Sequence, residues 1–341
     1  MAIGSGTALG WGALLGYGEE TTWGTKIGAA NFMEFDSESL KKTIDTEKLE
    51  SLNGNRAFIR RVQKGTSVDG AISYDFHPIT GISLLKHVLM GTVTSAQVGA
   101  TVAWNHTFTA SDMSTITQKG LSFEIRPDSA TTTAFYYTGC RVDALKLTGA
   151  VNETVKAELS LVGKDATTGA FATTTAVFST IRPFIYYDVT FRFDGTIASM
   201  TTGSTENITS FELTVNNNLH KDESTYSLGS TSRTALPPGK RDITMSFVQR
   251  YDTTTAFSRF TQGTEGAVRL ILDSGQTIGA ALTTYSMHID LHKVFYKSVE
   301  SDISDSGVLT QRVELSVVAD TTTSAGKDVV ISVTNSNTAY A

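Results

Sequence analysis

One cysteine, Cys140, among 341 residues excludes an intrachain disulfide or a zinc site built from cysteines. Stability must come from packing or from assembly. Five prolines are too few for a flexible proline-rich linker, and charged residues make up only 18% of the chain. Thr, Ser and Gly fill their place, which favours strands and turns over long helices. Basic residues are outnumbered, 28 Lys and Arg against 34 Asp and Glu, and the net charge of −6 argues against a sequence-reading nucleic-acid binder. No apolar run approaches the ~18 residues of a membrane span. The start, MAIGSGTALGWGALLG, has no Lys or Arg before Lys26 and so lacks the charged opening of a secretory signal. The expectation is a soluble protein made in the cytoplasm, in which the sequons at Asn105, Asn152 and Asn207 carry no meaning.

What is present is repetition. Thr154–Val162, TVKAELSLV, is nearly rewritten as Thr310–Val318, TQRVELSVV, with Lys156 answered by Arg312 and Glu158 by Glu314. Both stretches alternate, so Val155, Ala157, Leu159 and Leu161 point one way and Lys156, Glu158 and Ser160 the other. Period two with one dry and one wet face describes a strand. The surroundings follow in order. Val68–Phe76 and the helix candidate Ile79–Met90 precede the first copy; Asp242–Val248 and the shorter apolar stretch Thr255–Phe260 precede the second. Phe35-Asp36 and Phe211-Glu212 each open a polar, extended segment.

The fold class expected is mainly β: two tandem antiparallel β-sandwich or barrel domains, each flanked by a short α-helix. The domain bounds expected are 1–30 for an N-terminal arm, 31–180 for the first repeat with an insertion at about 92–117, and 181–341 for the second. In the arm, eight glycines from Gly4 to Gly28 interleave with Trp11, Tyr17 and Trp23. Such a segment orders against another surface, its own domain or a neighbouring subunit, or else frays. Phe35–Glu50 reads as an exposed helix or as a strand with both faces wet. Ile79, Ile82, Leu85 and Leu89 set a helical stripe that Gly91 is placed to stop. Leu121–Arg126, Ala134–Tyr137 and Arg141–Leu147 read as three strands, with a turn at Val151-Asn152-Glu153. Phe184–Phe193 is strongly β.

Chemistry leaves little trace. His288, Asp290 and His292 alternate along one strand, a pattern that zinc can use but that a wet strand face also shows, and no further ligand accompanies them. No strand-bound GxGxxG, P-loop or G-x-S-x-G elbow occurs. Cys140 reads as a small core residue, and Arg56, Arg60 and Arg61 as a solvated or subunit-pairing face. No catalytic, cofactor-binding or metal-binding residue is expected.

Gly18-Glu19-Glu20-Thr21-Thr22-Trp23-Gly24-Thr25, together with the duplicated threonine-rich sandwich, resembles the opening of tail tube proteins of long-tailed, siphovirus-type bacteriophages, here in a two-repeat form. The resemblance implies a structural virion protein that polymerises as stacked trimeric, pseudo-hexameric rings into the hollow tube that conducts DNA. It implies as partners other copies of the chain, a tape-measure protein, the tail terminator, distal tail or baseplate proteins and double-stranded DNA in transit, with no cofactor and no membrane anchor. Trp11, Tyr17, Trp23, Lys156, Glu158, Arg312 and Glu314 are the assembly candidates, and the lumen is expected to be more acidic than the outside. The rivals are a tube component of a bacterial secretion system, a β-sandwich binding or adhesion module, and a metallohydrolase using His288 and His292.

Overall fold

The computed structural model describes residues 10–52, 54–111, 119–128, 133–171, 175–200, 204–280, 282–301, 307–322 and 326–340. The first half supplies β1 (Leu14–Glu19), β2 (Asn31–Met33), β3 (Ser37–Glu38), β4 (Lys41–Lys48), β5 (Arg61–Asp75), α1 (Leu84–Val88), β6 (Thr92–Gln97), β7 (Trp104–Thr109), β8 (Leu121–Arg126), β9 (Thr133–Ala150), β10 (Lys156–Gly163) and β11 (Asp165–Ala170). The second supplies β12 (Val189–Asp194), β13 (Ser204–Glu206), β14 (Ile208–Asn216), β15 (Asp242–Arg250), α2 (Thr255–Thr261), β16 (Glu265–Thr277), β17 (Thr284–Glu300), β18 (Thr310–Val318) and β19 (Val329–Asn335). The fold is mainly β and antiparallel, and each half carries one short helix.

Alternation decides which face each strand buries. Val155, Ala157, Leu159 and Leu161 are buried while Lys156 and Glu158 are exposed; Val313 and Leu315 are buried while Arg312 is exposed. Each dry face joins a core shared by both halves, and burying one such aliphatic side chain is worth about 1.5–3 kcal/mol.

The wet faces belong to one long sheet in the order β4, β5, β10, β9, β14, β15, β18, β17, with β3 also on β5. The two halves meet in its middle, where Leu147 of β9 pairs with Leu213 of β14 and Thr148 with Glu212. Glu158 lies between Ser73 of β5 and Lys146 of β9, and Glu314 between Ser246 of β15 and Ser298 of β17. β9 and β17 are long enough to leave this sheet and enter a second layer. There the first half forms β2, β1, β8, β9, β11, and the second forms β13, β12, β16, β17, β19, β7, β6. The insertion hairpin β6–β7 therefore completes a sheet of the other half.

Several sequence expectations change. Leu14–Glu19, placed in the arm, is a core strand between β2 and β8; residues 1–9 of that arm lie outside the described residues, as do 112–118 of the insertion. Phe35–Glu50 takes the strand alternative as β3 and β4, and every residue of β4 is exposed. The helix expected over Ile79–Met90 shrinks to α1, because Gly81 sits at φ +77 and blocks an earlier start. Its end is turned by Met90, at φ +46, rather than by Gly91. Gly91 is needed for another reason: a Cβ there would overlap the Thr109 carbonyl of β7. Ala134–Tyr137 and Arg141–Leu147 are one strand, β9, since Gly139 at φ +64 lets the chain bend without breaking. In Phe184–Phe193 the strand starts only at Val189. A 3-10 turn precedes it, fixed by the Asp188 carboxylate, which accepts from the Ile185 N–H at 3.0 Å and from both terminal nitrogens of Arg182 at 2.5 and 2.9 Å.

Candidate assembly surface

The seam between the halves shows what an edge of this sheet accepts. β9 offers the side chains of Lys146 and Thr148 on the wet face, β14 offers Glu212 and Thr214, and Lys146 Nζ reaches Glu212 at 2.8 Å across the boundary. That pair is about half exposed, so its contribution to stability is about 0–1 kcal/mol, and its role is to fix register. The two outer strands of the same sheet, β3 with β4 at one end and the 296–300 part of β17 at the other, have no partner on their far side among the described residues. Open edges of this length pair with another chain unless they are blunted.

The wet-face candidates lie along this sheet. Lys156 Nζ bridges Asp36 at 2.6 Å and Asp75 at 3.3 Å, and these carboxylates raise its pKa. Glu158 is exposed beside it, and Arg312 and Glu314 occupy the matching places in the second half, with Lys297 Nζ at 3.8 Å from Glu314. Positive and negative side chains interleave along the face, so it carries no continuous basic track that would hold a phosphate backbone.

The three aromatic candidates separate. Trp11 is exposed in a 3-10 turn, Gly10–Gly12. Tyr17 is buried in β1, its hydroxyl 2.8 Å from Ser83 Oγ and its ring against Phe123; burial pushes the phenol up to about 12. It is committed to its own half and presents nothing to a neighbour. Trp23 donates from Nε1 to the Gly139 carbonyl at 3.0 Å and packs on a small cluster of Met90, Val162, Leu219 and Leu236, which joins the halves.

Glu20 was missed by sequence reasoning. It is fully buried, and its carboxylate accepts from the N–H groups of Gly24 at 2.6 Å and Gly139 at 2.7 Å and from Ser122 Oγ at 2.7 Å. These bonds hold both the turn that carries Trp23 and the bend of β9. Two adjacent acids at the end of a strand, Glu19 as the last residue of β1 and Glu20 just after it, are the available signal, since successive side chains of an extended chain take opposite faces and only one of them can reach solvent. Glu19, on the other side, meets His87, Lys119 and Lys86 at 3.2, 2.6 and 2.9 Å, and its carboxyl is held well below the usual carboxylate range, chiefly by the His87 hydrogen bond. The acidic pair of the GEETTWGT stretch therefore acts within the fold.

Residues 10–338 match the family described as phage tail tube protein. The chain belongs to that family. It is a structural component of a phage tail and not an enzyme. No curated protein matches it by sequence. The SPP1 tail tube, solved by solid-state NMR and cryo-EM, resembles it at 11% identity and a TM-score of 0.31 over 39% of this chain and 75% of that one. For this tail tube family member the strand bearing His288, Asp290 and His292 has a structural use. Arg269 holds both Asp290 oxygens, Nε to Oδ1 at 2.6 Å and Nη2 to Oδ2 at 2.8 Å, as a bidentate ion pair. Cys140 is buried, and burial pushes its thiol pKa up, away from nucleophilic use.

Proposed function

We propose that this chain is the major tail tube protein of a siphovirus-type tail and that it is a duplication: three copies form a pseudo-hexameric ring, and rings stack into a hollow tube. The first unit would run over 31–180 with β1 added and the 92–117 insertion carried on it, the second over 181–341. What supports the reading is the seam. β9 and β14 pair as the edges of two units, and the outer edges of the same chain are the strands in corresponding positions.

Transposing the seam gives the contact between copies. Thr148 faces Lys156 on one side and Glu212 on the other; Glu300 faces Arg312 in the same way, and Ser37 faces Ser73 as Glu212 faces Ser246. Glu300 of one copy then stands opposite Ser37 of the next. A heterologous contact of this kind closes into a ring when its rotation permits. In such a ring the wet faces, including Lys156, Glu158, Arg312 and Glu314, line the lumen, which surrounds a tape-measure protein during assembly and later passes double-stranded DNA without specific binding. The lumen is more acidic overall than the outside. The tail terminator and distal tail proteins would cap its ends, and subunits would be made in the host cytoplasm.

The test is a bismaleimide cross-link between Ser37→Cys and Glu300→Cys, with the buried Cys140 left in place. A covalent trimer on denaturing gels, absent from either single variant, is the expected result. Cross-linked dimers with no closed trimer, in preparations that show no rings by electron microscopy, would overturn the reading.

A further inference from the structure

At the end of the long sheet where β10 finishes, the first half is closed by a segment of the second. Val162 is 2% exposed there, packed with Met90 against Leu219 and Leu236 from the 217–241 connection between β14 and β15. The same connection seals the last turn of α1. Asn217 Nδ2 donates to the Val88 carbonyl at 2.8 Å and to the Val142 carbonyl at 3.0 Å, and Arg241 Nη1 donates to the Leu89 carbonyl at 3.4 Å.

Among the described residues the second half has no such cover. Val318, which answers Val162 in the repeated stretch, is 39% exposed. α2 packs on β17 as α1 packs on β9, yet it leaves Phe257 and Phe260 exposed. Another connection between neighbouring strands of this sheet, that between β4 and β5, carries the exposed apolar side chains Leu52, Phe58 and Ile59. Within one chain it cannot reach Val318, because β4 and β18 are six inter-strand steps apart in the sheet order. At 4.7–4.9 Å per step that is about 29 Å along the sheet.

We propose that the β4–β5 connection of one copy closes the second half of the adjacent copy in the ring, seating Leu52, Phe58 and Ile59 against Val318, Phe257 and Phe260. The proposal rests on the ring reading above, and adds that the lateral contact has an apolar lock beyond its strand pairing. Two exposed apolar groups that are otherwise unrelated become the two sides of one interface, as Leu219 and Leu236 already are to Val162 within the chain. Apolar contact suits this position, because strand pairing at an edge is permissive in register and buried side chains are not.

Photo-crosslinking from Val318→p-benzoylphenylalanine tests it, with isotope-labelled and unlabelled chains mixed before assembly so that links between copies are distinguished from links within one. The expected product joins the peptide bearing position 318 to residues 49–60 of another copy. Links to any other part of a neighbour, or only within the same chain, overturn the proposal. Electron microscopy of the unmodified protein separates the two claims: rings with a different link leave the tube reading intact, while no rings at any concentration removes both. As a second measurement, Phe58→Asp combined with Ile59→Asp alters only exposed positions. The circular dichroism melt should be unchanged, and the concentration needed for ring formation should rise about tenfold or more. Unchanged assembly of that variant would also overturn the proposal.

Discussion

Glu158 and Glu314 hold matching positions in one sheet: Glu158 faces Ser73 of the preceding strand, and Glu314 faces Ser246. Their neighbours Leu159 and Leu315 point into the shared core. Urea denaturation should separate these roles. Glu158→Ala and Glu314→Ala should each change stability by less than about 0.5 kcal/mol. Leu159→Ala and Leu315→Ala should each cost about 2–5 kcal/mol. A large effect of either glutamate on the isolated chain would show that it has a folding role.

Glu20 should be the most sensitive charged residue in the chain. Glu20→Ala strands the buried N–H groups of Gly24 and Gly139 and the Ser122 hydroxyl, at a cost of about 3 kcal/mol or more. Glu20→Gln keeps one acceptor oxygen and should fall between the two in thermal melts. The Trp23 fluorescence should shift with it, because the turn that carries Trp23 is held by Glu20.

Gly149 lies on the seam, where a Cβ would meet the Phe211 ring at 2.5 Å. Gly149→Val should destabilise by about 1–3 kcal/mol through overpacking. Hydrogen exchange should show the loss first in β9 and β14. Uniform loss across the chain would mean that the seam opens only with global unfolding.

Acid should loosen the fold through its histidines. Burial lowers the pKa of His77, His106, His288 and His292. The unfolded chain protonates near the ordinary value of about 6.5 and the folded one only below it, so stability is full above that pH and declines as pH falls through the folded values. Melting temperature should therefore drop between about pH 7 and pH 5.5. His106 shows the mechanism. Its Nδ1 lies 2.8 Å from Ser95 Oγ and its Nε2 lies 3.1 Å from Asn335 Oδ1 and 3.0 Å from the Asn337 carbonyl, an arrangement that leaves no acceptor for a second proton except the serine hydroxyl. His106→Asn should lower the melt at neutral pH and flatten this slope. Glu19, depressed chiefly by its bond to His87, contributes fully above the ordinary carboxylate range and loses that contribution progressively as pH falls from there to its own lower range.

What could be read from the sequence was local. The alternation of Val155 to Leu161 and of its second copy gave strand, face and repetition, because a period of two needs only neighbouring residues. Helix length was not readable. Ile82, Leu85 and Leu89 keep helical spacing whether or not Gly81 turns left-handed, and the backbone decides that. The bend of β9 was hidden because Gly139 looks like a break in sequence but acts as a hinge within one strand. The outward face of the long sheet was half visible: the places of Lys156, Glu158, Arg312 and Glu314 on it followed from alternation. Tyr17 and Glu20 did not, since burial of a polar or aromatic side chain depends on partners such as Ser83 and Gly139 that lie far along the chain.

The β6–β7 hairpin has a temporal consequence. Its inner strand, β7, pairs with β19, so that Phe108 meets Ile331 and Asn105 meets Thr334, across more than two hundred intervening residues. A chain emerging from the ribosome in order makes β7 long before it makes β19, so that side of the insertion stays open throughout synthesis of the second half. Pairings of such sequence separation form late. Closure of this sheet therefore waits for β19, and a nascent subunit that has not reached it carries an extra unpaired edge.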